Sequence, residues 1–197
     1  MKRVLKSSNS EIITKNLQYK SNGDNSILGN LLLKEQKGFC AYTEHYIGYD
    51  DANDIEHFNP NLKDTPKDNY YNWYKVKHLP NQRKTNNWID QILMPFDENF
   101  ETRVIYSEGE YFAKPNDDEA NNLIILLDLN NQKKVEDRKN YIKRRKESIN
   151  DRKLLTKSEI ENYFKDKIDN EIKTISYLRA IQEEFKIDIW NMIPQPE

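Results

Sequence analysis

Through residues 1–36 the apolar positions Leu17, Ile27, Leu28, Leu31, Leu32 and Leu33 are spaced for helix, and Asn22-Gly23-Asp24-Asn25 interrupts them as a turn. A helical lead-in of two short segments is expected there. From Gly38 to about Trp88 the 3.6-residue period disappears, and aromatic residues alternate with Asn, Asp and turn signals such as Asn59-Pro60 and Thr65-Pro66. That texture predicts short strands and loops. Residues 89–122 are irregular and acidic, with a hairpin expected between Glu101–Tyr106 and Tyr111–Ala113 across Ser107-Glu108-Gly109-Glu110. Helical spacing returns at Asn121, where Leu123-Ile124-Ile125-Leu126-Leu127 reads as a short buried element. A helix capped by Asn130 is expected from about Asn131 to Lys153. Thr156-Lys157-Ser158-Glu159 has the form of a capping box and opens a second long helix. Its apolar stripe runs Ile160, Phe164, Ile168, Ile172, Ile175, Leu178, Ile181 and Phe185. The pattern predicts an α+β fold dominated by helices, divided as 1–36, 37–95, 96–122 and 123–197 and folding as one cooperative domain.

Charge sharpens this picture locally more than globally. The chain of 197 residues carries a formal net charge of -2, with 36% hydrophobic residues, 11% aromatic and 32% charged. The aromatic content argues against a wholly disordered chain. Asp97 to Asp128 holds nine acidic residues against Arg103 and Lys114, whereas Asn131 to Lys153 holds ten basic against four acidic. The basic stretch, with Arg144 and Arg145, could follow a phosphate backbone, dock on an acidic partner or simply face solvent. No stretch approaches the ~20 apolar residues of a membrane helix, and the start lacks the apolar run of a secretory signal, so no membrane association and a cytoplasmic location are expected. The single Cys, Cys40, excludes an intrachain disulfide and any zinc site needing two cysteines of one chain.

Candidate chemistry concentrates in Cys40-Ala41-Tyr42-Thr43-Glu44, Asp54-Ile55-Glu56-His57-Phe58-Asn59-Pro60, Tyr70-Tyr71-Asn72-Trp73 and Asn81-Gln82-Arg83-Lys84. Hydrolysing a phosphodiester at neutral pH needs a base to activate water, a cation to neutralise the phosphoryl oxygens and leaving group, and a group that orients the base. His57 could be the base. Glu56 and His57 are neighbours, so on a strand they face opposite ways and one could bind metal while the other addresses water. Asp54, one pleat away on the face of Glu56, could serve as ligand in its place. Asn72 could fix the imidazole, or form an Asx turn; Asn81 could give an amide oxygen to a hard cation, or cap a helix. Lys84 could contact phosphate or face solvent. His45, His78 and Cys40 read as structural.

At these residues the chain resembles the HNH endonucleases, which carry a carboxylate-His pair on a strand, an Asn in the following loop and a final His or Asn on a helix. Ile55-Glu56-His57-Phe58-x-Pro60, Asn72 and Asn81-x-x-Lys84, with Leu127-Asp128-Leu129-Asn130 and Arg138 downstream, are similar to the HNH subunit of Septu-type and retron-associated antiphage systems. The resemblance implies a ββα-metal core in the 37–95 segment and cleavage of nucleic acid, DNA in preference to RNA. Its catalytic set would be His57, Asn72 and Asn81, and Glu56, Asn81 or Asp54 would hold Mg2+ or Mn2+. It further implies nucleic-acid contacts by Lys84, Arg83, Arg144 and Arg145 and an ABC/AAA-type ATPase partner. The family's two Cys-x-x-Cys pairs fall here on Cys40, Thr43, Lys77 and Pro80, so no structural zinc is expected. Packing of Tyr42, Phe58, Tyr70, Tyr71, Trp73 and Trp88 is expected to replace the clip, and Pro80 to stand at the first helical position. A docking subunit with a decayed site, or one gated by its partner, is the alternative.

Overall fold

The computed structural model describes residues 1–195. Two short helices, α1 (Glu11–Thr14) and α2 (Ser26–Glu35), lead in. Strand β1 (Asn53–His57) pairs antiparallel with β2 (Trp73–Lys77), placing Glu56 opposite Tyr74 and His57 opposite Trp73. Helix α3 (His78–Lys84) follows β2 without a break and packs on both strands. After a helical turn, α4 (Phe100–Arg103), a second antiparallel pair forms from β3 (Val104–Ser107) and β4 (Glu110–Ala113). The rest is helical: α5 (Asp118–Leu126), α6 (Gln132–Asp151), α7 (Lys157–Glu171), α8 (Leu178–Phe185) and α9 (Ile189–Met192). The fold is α+β, and no helix among the described residues is long and apolar enough to cross a membrane.

Aromatic packing holds the strand-strand-helix unit together. Phe58 is fully buried, with Tyr42, Tyr74 and Trp88 edge-on around it at ring separations of 6.4, 5.9 and 5.7 Å. Trp73 and Tyr70 pack on the opposite side with Ile12, Leu28 and Leu32. Tyr71, 37% exposed, is the most exposed of the six expected aromatics. The turn at Cys40–Glu44 rests on β2: Ala41 N–H donates to Lys75 O at 3.1 Å, and Lys77 N–H donates to Cys40 Sγ at 3.3 Å. The Gln36 amide brackets Lys75 on the outer edge of β2, accepting from its N–H and donating to its carbonyl, both at 2.7 Å. A strand edge that would otherwise be left open is thereby satisfied.

Several local expectations change in detail. Asn131, not Asn130, caps α6, because Asn130 is committed to bracketing the Tyr111 backbone at 2.8 and 2.7 Å. Pro80 is the third helical residue of α3 rather than the first, still within the turn whose N–H groups have no intrahelical acceptor. The second long helix is broken after Glu171. Ile172–Thr174 tightens into a 3-10 turn, and Tyr177 adopts a left-handed φ of 58°. There the backbone bonds elsewhere: Tyr177 N–H donates to Glu44 O at 3.2 Å and Ser176 N–H to the Tyr141 hydroxyl at 3.2 Å. Ile175, Leu178 and Ile181 remain fully buried, so the apolar stripe is core although the helix is interrupted.

Long-range bonds tie the strand-strand-helix unit to both ends of the chain. The Glu44 carboxylate accepts from the backbone N–H groups of Lys2 and Arg179, and Lys37 Nζ donates to the carbonyls of Trp190 and Ile193 at 2.8 and 2.7 Å. A fragment of residues 36–90 loses these partners together with Met1, Phe164 and Ile189 of the shared core. That fragment is expected to lack a cooperative thermal transition; a sharp melt in circular dichroism would contradict this.

Lys6 makes a similar tie with a titratable group. Its ammonium donates to Tyr70 O at 3.0 Å and Trp73 O at 2.6 Å and lies over the Tyr70 and Tyr74 rings. Burial pulls its pKa down to about 7, against an opposing contribution from Glu35. Between that value and the ordinary lysine value of 10.5 the unfolded chain binds more protons than the folded one, so stability rises with pH across this window. Relative to Lys6→Met, the wild type is expected to gain up to about 1.4 kcal/mol per pH unit there. Parallel pH-stability curves from urea titrations would contradict the assignment.

Candidate active site

Alternation along β1 sends Glu56 toward α3 and His57 toward the 58–72 loop, as expected for strand neighbours. Both side chains nevertheless reach one 540 Å³ cleft, which Asn81 on α3 and Lys63 in the loop also line. A carboxylate, an imidazole and an amide from β1 and α3 therefore meet at one surface.

His57 is 6% exposed, and its Nε2 lies 3.0 Å from Asp68 Oδ2, an ion-pair separation whose angle falls short of a hydrogen bond. The Tyr19 ring stands edge-on to the imidazole at 4.4 Å. Asp68 is itself fixed, its Oδ1 accepting from Asn72 Nδ2 at 2.8 Å and Trp73 Nε1 at 2.9 Å. The Asn72 side chain makes no hydrogen bond to His57 among the described residues, a correction to the expected direct contact. Instead it closes the loop, with Oδ1 accepting from Asn59 N–H at 2.8 Å and Nδ2 donating to Asn59 O at 3.1 Å. Asn72 thus positions His57 through Asp68. With Nε2 facing a carboxylate, the proton of the neutral ring belongs on Nε2 and the lone pair on Nδ1. Burial lowers the His57 pKa, and Asp68 opposes it, so the neutral ring that a general base requires prevails at neutral pH.

Glu56 is buried, and Oε1 lies 2.8 Å from Lys84 Nζ and accepts from the Tyr42 hydroxyl at 3.2 Å. Burial raises its pKa, against the opposing pull of Lys84 and Tyr42. Lys84 is only 3% exposed, which corrects its expected place at a phosphate: its charge is used inside the protein. Asp54 Oδ2 accepts from His78 Nδ1 at 2.7 Å and from Asn81 Nδ2 at 3.0 Å. A carboxylate can only accept here, so the Asn81 amide presents its NH2 to Asp54 and keeps Oδ1 for another partner. Asp54 lies behind Asn81 as its brace, braced in turn by His78, and does not line the cleft.

These contacts leave Glu56 Oε2 and Asn81 Oδ1 without protein partners among the described residues. Among those residues no three His, Cys, Asp or Glu side chains cluster as a ligand set. Two hard oxygen donors beside a cleft fit Mg2+ or Mn2+, which is held by one or two protein groups and keeps several waters. The basic residues are dispersed. Arg83 is exposed on α3 but faces a different cavity, Arg144 is exposed on α6, and neither lines the cleft. Arg145 is corrected to a structural role, stacked on Tyr141 at 4.9 Å and donating to Thr174 O at 2.8 Å.

Sequence reasoning missed Asp68 and Lys63. Asp68 lies four residues before Asn72, the one signal that could have suggested a carboxylate within its reach. Comparison with protein-family models, with curated proteins and with solved structures finds no match.

Proposed function

We propose that this chain is a metal-dependent endonuclease of the HNH kind, cytoplasmic, hydrolysing phosphodiester bonds in DNA in preference to RNA. The observation that carries the reading is the meeting of Glu56 and His57, from β1, with Asn81, from the helix α3 that follows the paired strand β2, in one cleft. His57 Nδ1 takes the proton of the attacking water, and Asp68 beside Nε2 stabilises the imidazolium that forms. Glu56 Oε2 and Asn81 Oδ1 would hold the cation, oriented by Lys84 and Tyr42 on one side and by Asp54 on the other. Bound there, a divalent ion supplies neutralisation of charge on the phosphoryl and leaving oxygens. Lys63, exposed at the rim, offers its ammonium to the backbone of the strand.

One contact favours a second form of the same reading. Lys84 already neutralises Glu56, so full metal occupancy competes with an internal cation. This supports a site that is not constitutively loaded, either an effector subunit gated by a partner, for which the resemblance suggests an ABC/AAA-type ATPase in an antiphage system, or a subunit that only docks.

The test is incubation of the purified chain with supercoiled plasmid and structured RNAs in Mg2+, Mn2+ or EDTA, with and without a co-expressed ATPase. Nicking that EDTA stops is expected, on plasmid before RNA. Absence of cleavage under every condition would overturn the reading.

A further inference from the structure

A second and larger cavity, of 760 Å³, lies on the other side of α3 from the cleft. Helix α3 and the junction of α5 and α6 line it, together with Tyr42–His45. Its lining carries six basic side chains against three acidic ones, in a chain whose net charge is -2. Most of those cations are committed: Lys77 to Asp51, Lys84 to Glu56, and Arg138 to the carbonyls of Gly109 and Leu129. Arg83 on α3 and Lys133 on α6 are exposed and have no ion-pair or side-chain hydrogen-bond partner among the described residues. Lys134 is half-buried beside them and already committed, its ammonium donating to the carbonyls of Leu127 and Asp128 at 3.0 and 2.9 Å and pairing with Asp128 Oδ2 at 3.7 Å. Burial lowers its pKa, Asp128 opposes, and Arg83 and Arg138 lower it further, which marks a crowding of positive charge.

The same cavity carries an apolar edge. Leu79 on α3 and Ile125 on α5 line it and are 56% and 59% exposed. Two uncommitted cations and two uncovered aliphatic side chains thus line one cavity, the combination expected of a pocket for a small ligand with a flat apolar part and an anionic part.

We infer that this cavity binds a nucleoside phosphate, its base between Leu79 and Ile125 and its phosphate on Arg83 and Lys133. The ligand site is separate from the cleft, with α3 as the shared wall, and stands whether or not the chain cleaves nucleic acid.

The experiment is calorimetric titration of the full chain with AMP, ADP, ATP, adenosine, inorganic phosphate and a short single-stranded deoxyoligonucleotide. EDTA is kept present so that neither a cation site nor cleavage contributes. Saturable binding of at least one nucleotide is expected, with adenosine and inorganic phosphate each at least about tenfold weaker. Arg83→Ser with Lys133→Ser, both exposed and checked by thermal melting, should weaken the nucleotide at least about tenfold, and His57→Ala should leave it unchanged. No saturable nucleotide binding, equal binding by the double variant, or binding of the oligonucleotide alone would overturn the assignment.

Discussion

His57→Ala protein is expected to lose cleavage by about 10²–10⁴-fold, the usual contribution of a positioned general base, while keeping its fold. The fold survives because Asp68, the buried carboxylate left behind, retains the donors Asn72 Nδ2 and Trp73 Nε1 on Oδ1. A sharper version uses Asp68 itself. In Asp68→Asn the amide oxygen can still accept from Asn72 and Trp73, so its NH2 turns toward His57 Nε2. That nitrogen must then accept, the ring proton moves to Nδ1, and the base is lost with the ring still in place. Asp68→Asn should therefore be more damaging than Asp68→Ala, which removes the orienting group without enforcing the wrong tautomer. Single-turnover rates on plasmid order the three variants. If Asp68→Ala is the slower of the two Asp68 proteins, the tautomer argument fails.

Lys84→Met is expected to cost about 3–5 kcal/mol of stability, the effect of stripping the partner from a buried carboxylate. Glu56 keeps only the Tyr42 hydroxyl, inside a shell already desolvated enough to raise its pKa. Adding Glu56→Gln should restore most of the loss, because the penalty lies in the unpaired charge rather than in the packing of the methylene stem. The cation reading adds a second expectation. With Lys84 removed, Mg2+ or Mn2+ should raise the melting temperature of Lys84→Met more than that of the wild type, since the ion replaces the lost positive charge. Chemical denaturation and thermal melting of the three proteins, each with and without metal, measure both effects. A Lys84→Met protein as stable as the wild type would mean that the 2.8 Å pair carries little energy.

Features set by neighbouring residues were legible in the sequence. The Thr156–Glu159 capping box forms with both of its reciprocal bonds, and the hairpin closes at Ser107–Glu110, where Gly109 takes a positive φ. Strand alternation separated Glu56 from His57 correctly, and α3 followed β2 to bring Asn81 beside them. Features decided by distant partners were not. Lys84 carries a charge that a sequence pattern assigns to the surface, but Glu56 on another element holds it inside. The 175–177 break depends on Glu44 O and the Tyr141 hydroxyl, acceptors far along the chain that compete with helical bonds. Asp68 sits in a fifteen-residue stretch between β1 and β2 whose shape is set by the Asn72 bracket on Asn59, so no periodicity points to it. The choice of Asn131 over Asn130 as cap likewise follows from the claim that Tyr111 makes on Asn130.

The central claim is that Glu56 and Asn81 hold one divalent cation beside His57. Mn2+ titration followed by electron paramagnetic resonance tests it without needing the substrate or partner in hand. A single bound Mn2+ is expected for the wild type and for His57→Ala, weakened at least about tenfold in Glu56→Gln and in Asn81→Ala. Mn2+ that binds equally well to all four proteins, or to none of them, would contradict the account.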